Sequence, residues 1–375
     1  MKISVISFDL AHNCLGRAYL LAKVLQRRYH IEIHGTLFPT HGDTIWKPCD
    51  TGEFQYLTVK GCQYPEYFAS IRKMLKAIKG DVIYASKLRM SSFGVALLKK
   101  LTSFKPVIVD IDDLETSWFS EQDWHARRKT PVKIPIGLWH TKLMEKLTWA
   151  ADDITTVSTQ LQKKFGGVIV PHGKDTEHLN PDRHDRKRLR KELGIDEFRI
   201  VMFLGTPRRH KGLEDILDAL KLIGRKDIKL FIVGKGSDPF YEKKLQELGG
   251  EQVILHKMIP FNRVPEFLAV ADSVVLAQRK SLITWGQIPA KLFDAMSMAK
   301  PIIASNVSDM PDILRGCGLI FEPGNIRELA EKLQWIFSHP RDAEEMGQRA
   351  REKCIREYSW NVMEERLSQI FDKYK

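Results

Sequence analysis

The stretch VMFLGTPRRHKGLEDILDAL, residues 201–220, runs from an apolar strand ending at Gly205, through a basic loop, into an amphipathic helix beginning near Leu213. A strand that feeds through glycines and cations into a helix N-terminus makes a site for phosphate, because unpaired backbone N–H groups and the helix dipole both favour negative charge there. Arg208, Arg209 and Lys211 add full positive charges. A basic surface loop is the competing reading.

The pattern repeats in both directions, which decides the fold class. Downstream, strand candidates follow at Lys229–Val233, Gln252–Leu255, Ser273–Ala277, Pro301–Ala304 and Leu319–Phe321, after Arg199–Leu204 itself, with helical periodicity between them. Upstream lie Lys2–Ser7, Ile31–Leu37, Asp81–Ala85, Val107–Ile111, Asp153–Val157 and Val168–Val170. After Phe321 the chain reads as helix over Ile326–Ser338, Asp342–Tyr358 and Trp360–Tyr374. The class is α/β, with two Rossmann-like domains in tandem. Turn formers at Pro171, His172 and Gly173, then Asn180 and Pro181, mark the boundary. Ligands of such sheets sit outside the carboxyl ends of the strands, so two domains facing each other are expected to enclose a cleft.

Composition narrows the function classes. A chain of 375 residues with 43% hydrophobic and 28% charged residues has enough apolar surface for two cores. No run approaches the roughly 18–20 apolar residues of a membrane span, and the apolar start Ile3–Phe8 is interrupted at once by Asp9, His12 and Asn13, unlike a signal peptide. The five cysteines, Cys14, Cys49, Cys62, Cys317 and Cys354, show neither metal-ligand spacing nor a disulfide framework, so no metal site and a reducing, cytoplasmic setting are expected. A net charge of +12 draws phosphorylated partners of any kind. The densest run, Arg183, Arg186, Lys187, Arg188, Arg190 and Lys191, reads as a solvated face, since nucleic-acid readers add interleaved aromatics or a recognisable motif.

Three further stretches bear on a ligand. Gly234, Lys235 and Gly236 close the strand after Val233, where glycine admits a ligand to the backbone or makes a plain tight turn. Met258, Ile259 and Pro260 offer an apolar surface to a flat nucleobase, or pack in a core. In SLITWGQIPAKLFDAMSMAKPIIAS, residues 281–305, Trp285 to Pro289 form a loop before a helix bearing Lys291 in its first turn and Asp294 three residues on. A first-turn lysine opposes the dipole preference, and Asp294 shares its helical face, so a cation for phosphate and a carboxylate for a diol are presented together. A surface ion pair is the bland alternative.

Together these pieces resemble the retaining GT-B glycosyltransferases of family four, the glycosyl transferases group 1, across the whole second half and the final helix. The string GTPRRHKG, residues 205–212, resembles the family's phosphate-binding loop, which implies that Lys211 and either Arg208 or Arg209 bind the donor diphosphate. The family's arginine usually follows the first glycine, where this chain has Thr206. IPAKLFDAM resembles the helix of the paired-glutamate motif: Asp294 matches the acid that binds ribose, while the first acid's place is Gly286. The loop backbone from Trp285 through Gln287, Ile288 and Pro289 then implies an alternative holder for the sugar, with Leu292 beside it. IVPHGKD, residues 169–175, resembles the family's linker, and Tyr358-Ser359-Trp360 the start of a helix crossing back to the first domain. The implied domains are 1–172 with 359–375, on the acceptor side, and 173–358, holding the donor.

The first half resembles the family less. Its double glycine is replaced by Cys14-Leu15-Gly16-Arg17, leaving Gly16 as the donor-side glycine, and its mid-domain histidine is absent. Asp110, Asp112 and Asp113 stand near that place, and binding of an acceptor hydroxyl, a general base with Asp112 the first choice, a metal site and turn capping are all open. Trp124 to Trp149 interleaves Arg127, Arg128, Lys129, Lys133, Lys142 and Lys146 with Trp139, Leu143 and Leu147, which suits either an anionic membrane surface or a core-facing helix beside a solvated loop. The resemblance implies a hexosyltransferase-like enzyme moving a sugar, with retention, from a nucleoside diphosphate donor to a hydroxyl of a glycan, lipid-linked or small acceptor. It needs no further cofactor and binds no nucleic acid, and the leaving phosphate is one acceptor for the hydroxyl proton. A lapsed scaffold subunit of the same fold and a sugar-nucleotide epimerase or hydrolase are the alternatives.

Overall fold

The computed structural model describes residues 1–119, 135–234, 236 and 238–375. The chain divides into two compact units, Met1–His172 with Asn361–Lys375, and Gly173–Trp360. The first is built on strands β1 (Lys2–Ser7), β2 (His30–Leu37), β3 (Tyr56–Lys60), β4 (Val82–Ser86), β5 (Val107–Ile111), β6 (Asp153–Thr156) and β7 (Val168–Ile169), in the order β3-β2-β1-β4-β5-β6-β7. The second uses β8 (Arg199–Leu204), β9 (Ile228–Val233), β10 (Val253–His256), β11 (Ser273–Leu276), β12 (Ile302–Ser305) and β13 (Leu319–Phe321), in the order β10-β9-β8-β11-β12-β13. Neighbouring strands pair in parallel in both sheets. These are the two Rossmann-like α/β layers that the alternating pattern predicts.

Each apolar run forms its strand to within one residue; among the described residues β3 is the strand the pattern misses. It is an edge strand in which only Val59 is buried, so its sequence YLTVK alternates instead of running apolar. The inner strands are buried on both faces. Along β8, Ile200 and Met202 join one core layer while Val201 and Phe203 join the other, the period of two that a covered sheet requires. The terminal helix Trp360–Phe371 packs Phe371 against Tyr84 and Tyr29 and so completes the first unit's core.

The basic helix Arg186–Glu192 departs from the expected solvated face at one residue. Arg190 is buried, donating to Val270 O at 2.7 Å, to Ile195 O at 3.1 Å and to Asp272 Oδ2 at 3.1 Å. Five N–H donors let a guanidinium tie several carbonyls together, and a period-counting argument sees only its charge. The other cations of the run are exposed.

A second buried guanidinium governs the first unit. Arg17 forms a two-pronged pair with Asp110, at 2.9 and 2.8 Å, and donates to Pro171 O and Val170 O at 2.9 and 2.8 Å. Asp110 also accepts from Thr155 Oγ1 at 2.7 Å, so every charge in this pair is matched. Removing one partner strands the other in the core, which costs about 3–5 kcal/mol. Arg17→Ala should therefore lower unfolding free energy by about that amount in urea titration, and a loss under about 1 kcal/mol would show that the pair does not hold the unit together.

Candidate functional site

In the second sheet the strand order reverses between β8 and β11, and ligands of open α/β sheets bind outside the carboxyl ends of strands at such a point. Two glycines bring the backbone together there. Gly212 has φ +63° and begins the helix Leu213–Ile223; a Cβ on it would lie 1.9 Å from the carbonyl oxygen of Ala277, just past β11. Gly205, with φ +128°, closes β8, and a Cβ there would lie 2.9 Å from Lys291 Nζ. Only glycine permits either approach. Gly234, at the end of β9, backs onto the carbonyl of Gly205 and lines a shallow recess with Pro207.

Around these glycines the loops gather cations. Lys211 leaves the short turn Arg209–Lys211 and donates to Gln287 Oε1 at 2.6 Å. The same oxygen accepts from buried Gln278 at 3.2 Å. Lys291, in the first turn of the helix Ala290–Ser297, lays its ammonium 3.7 Å from the centroid of the Phe203 ring. Burial, reinforced by Lys211 and Arg208 and opposed by Asp294, pushes the Lys291 ammonium well below the ordinary lysine range. Lys211 and Arg208 thus add their charges to that of Lys291 near the end of β8, an excess of positive charge that an anion stabilises.

The two arginines divide. Arg208 is half-buried and acts on Lys291, whereas Arg209 is 67% exposed and turned toward Asp238 Oδ2, at 3.6 Å, and the Tyr241 ring. Arg209, expected at the reacting phosphate, thus lies toward Asp238, while Arg208 is the arginine whose charge Lys291 feels. The acids Glu214 and Asp215, in the first turn of the helix after Gly212, are neutralised by Arg279, and Glu214 also accepts from Tyr241 Oη at 2.7 Å.

Asp294 does not pair with Lys291. Its Oδ1 lies 2.6 Å from Lys174 Nζ, and both side chains are half-buried. Lys174 is itself fixed by backbone bonds, its N–H donating to Tyr358 O at 2.9 Å and its carbonyl accepting from Trp360 N–H at 2.8 Å. Sequence reasoning passed over Lys174, whose partner lies 120 residues away with no local signal.

Other expected residues scatter. Ile288 and Leu292 point into the core, which leaves only their backbone for a ligand, and Ile259 is a core residue flanked by exposed Met258 and Pro260. Trp285 and Gln287 are half-buried; Gly286 and Pro289 are buried; Thr206 is half-buried beside Gly205. Lys235 lies outside the described residues. Gly16 belongs to the first unit, in the first turn of the helix Leu15–Leu25.

In the first unit, the proposed general base is engaged. Lys87 Nζ lies 2.6 Å from Asp112, 3.0 Å from Asp113 and 3.1 Å from Glu115, and Arg89 adds 2.8 Å to Glu115. Burial pulls the Lys87 ammonium down, but the three carboxylates overcome it and hold it well above its usual range. Burial likewise pushes the Asp112 carboxyl up to about 7 despite Lys87. These three acids have the spacing of a cation site, and the ammonium of Lys87 supplies the cation. Asp112, the expected general base, is thus paired with Lys87, and Asp110 is paired with Arg17.

Residues 185–353 match the family described as glycosyl transferases group 1. Spore coat protein SA of Bacillus subtilis (strain 168) is 25% identical over 208 residues, 52% of this chain and 54% of that protein. The GDP-mannose-dependent alpha-(1-6)-phosphatidylinositol monomannoside mannosyltransferase of Mycolicibacterium smegmatis is 24% identical over 238 residues, 59% of this chain and 62% of that protein. The chain thus spans less than two thirds of the length of these relatives. Anabaena Alr3699/HepE, solved with UDP and glucose, superposes with a TM-score of 0.79 at 15% identity, covering 100% of both chains. Sucrose-phosphate synthase of Thermosynechococcus elongatus does so with a TM-score of 0.75 at 17% identity, covering 100% of this chain and 98% of that one. With its switch-point cations inside the segment that matches glycosyl transferases group 1, and with two parallel α/β sheets like those of these solved structures, the chain has the GT-B fold.

Proposed function

We propose that the chain is a retaining, nucleotide-sugar-dependent glycosyltransferase that moves a hexose-like sugar from a nucleoside diphosphate to a hydroxyl acceptor. The observation that carries this is the convergence of Lys211, Lys291 and Arg208 on the carboxyl end of β8. Charge grows on the leaving diphosphate as the glycosidic bond breaks, and preorganised cations stabilise that charge more than the ground state. Diphosphate also relieves the repulsion among the three cations. Asp294, oriented by Lys174, accepts hydrogen bonds from the ribose hydroxyls, and the backbone of Gly286 to Pro289 takes the place of the missing first acid near the sugar. Retention of Lys211 and Asp294 speaks against a lapsed scaffold.

The donor base is open to UDP, GDP and ADP. Thermal shift over these nucleotides, followed by slow hydrolysis of the matching labelled nucleotide-sugars, should identify one donor; epimer release without hydrolysis would favour an epimerase instead. A charge-assisted hydrogen bond contributes roughly 1.5–3 kcal/mol, on the order of ten- to hundredfold in affinity. Lys211→Ala should weaken the diphosphate by that factor while barely changing the bare nucleoside, and equal losses by calorimetry would remove the phosphate role. Arg208→Ala should behave in the same way and Arg209→Ala should change diphosphate affinity less than about threefold, since Arg209 lies toward Asp238; the reverse ranking would restore Arg209.

We also propose peripheral contact of the first unit with anionic lipid. Among the described residues no helix is long and apolar enough to cross a membrane. The helix Leu138–Lys146 buries Thr141 and Met144 but leaves Trp139 75% exposed, with Lys142 over its ring, and Trp149 just beyond is 79% exposed. Arg127, Arg128, Lys129 and Lys133 lie outside the described residues. Each lysine near an anionic surface contributes about 1 kcal/mol. The protein should cosediment with vesicles containing phosphatidylglycerol at low salt, and Trp139→Ser with Trp149→Ser should release most of it. Retention of the double variant, or equal binding to neutral vesicles, would count against this surface.

A further inference from the structure

At the amino-terminal end of the first sheet one aromatic ring has no role in the packing of its own unit. The helix Val95–Ser103 buries Val95 and Ala96 but turns Leu98 and Leu101 outward, and Leu101 is 75% exposed. The helix closes at Phe104, whose N–H donates to Lys100 O at 2.8 Å and whose φ of 55° lies in the left-handed region. Helices often close in that conformation, but with glycine or asparagine, because a bulky side chain is strained there. Phe104 gains no packing against that strain, since it is 91% exposed. A strained residue without contacts in its own fold points to a use outside it.

Trp149, also exposed, stands on the neighbouring loop. Lys100 Nζ donates to Ala150 O at 3.0 Å and to Asp152 Oδ1 at 2.7 Å, and Val107 N–H donates to Asp152 Oδ2 at 2.7 Å. The segments entering β5 and β6 are thereby tied side by side. Lysines gather on the other flank: Lys99 Nζ donates to Leu75 O at 2.9 Å and Lys105 Nζ to Lys79 O at 3.1 Å, near the end of the helix Glu66–Ala77. Burial, reinforced by Lys105 and Lys79, lowers the Lys99 ammonium below its ordinary range, so the three positive charges act on one another.

Exposed rings and aliphatic side chains beside lysines match the boundary of an anionic bilayer, where the apolar groups enter at the headgroup level and the ammonium groups stay among the phosphates. An apolar protein face suits this surface less, because it would have to take the ammonium groups out of water. We propose that Phe104 and Leu101 form a second point of entry into anionic lipid, beside Trp149, an assignment that rests on the lipid contact proposed above. It extends that contact from the helix Leu138–Lys146 to the amino-terminal ends of β5 and β6.

Phe104→Gly removes the ring and relieves the left-handed strain in one change, which separates a lipid role from a packing role. Its partition onto vesicles containing phosphatidylglycerol, measured by cosedimentation at low salt, should fall about tenfold, while the thermal midpoint holds or rises. Phe104→Trp should restore partition, since an indole takes the same interfacial place. Lys79→Gln should lower partition about fivefold on anionic vesicles and leave that on neutral vesicles unchanged. Wild-type partition in Phe104→Gly, or a loss that comes only with a lower thermal midpoint, would return the ring to the fold and overturn the second point of entry, with contact through Trp139 and Trp149 still standing. If a second copy of this chain covers the tip instead, sedimentation velocity without vesicles would show a dimer that Phe104→Gly dissociates, and the lipid assignment of the tip falls. A wild type that stays in the supernatant with anionic vesicles overturns the lipid contact itself, and the second point of entry with it.

Discussion

Everything at the donor side depends on one steric constraint, the passage of the loop after β8 against the carbonyl of Ala277 at the end of β11. A side chain at Gly212 would overlap that oxygen, so the chain crosses the switch point only with glycine in a left-handed conformation. The crossing fixes where Lys211 ends and where the next helix starts. Through Gln287 it also ties the loop to the segment preceding Lys291. A methyl group at position 212 would therefore disturb two loops and three cations at once.

The second organising effect is electrostatic. Lys211, Lys291 and Arg208 repel one another, and Lys291 responds by holding its proton weakly. The fold tolerates this because helix and strand packing on both sheet faces supplies far more stabilisation than the repulsion removes. In the first unit the opposite choice is made at Lys87, where three acids surround one cation and the charges are largely satisfied internally. One cluster gathers like charges, which suits an anionic ligand; the other is closed on itself.

Much of this was legible in the sequence, for identifiable reasons. Parallel strands in a covered sheet are apolar runs, so twelve of the thirteen among the described residues could be read directly, while the edge strand Tyr56–Lys60 could not because only one of its faces is covered. Lys211, Gly205, Gly212 and Asp294 follow from a strand-loop-helix signature and from resemblance. What stayed hidden were pairings across the sequence: Asp294 with Lys174, Asp112 with Lys87, Arg17 with Asp110, Asp9 with His41. Composition counts each of these as a free charge, and only the folded chain reveals which are consumed. Arg190 shows the same failure from the other side, a residue in a basic run that turns inward to bind carbonyls.

The terminal helix carries a consequence for the order of synthesis. Residues 361–375 belong to the first unit although the whole second unit lies between them and β7 in the sequence. On a ribosome, the first sheet emerges long before Phe371, and Tyr84 and Tyr29 wait without their ring partner while the second unit is translated and folds. During that interval the nascent first unit presents an uncovered aromatic surface, the kind of site a chaperone holds. The second unit is continuous from Gly173 to Trp360 and has no such dependence. The later-made half of the chain can thus reach its native packing before the earlier-made half does.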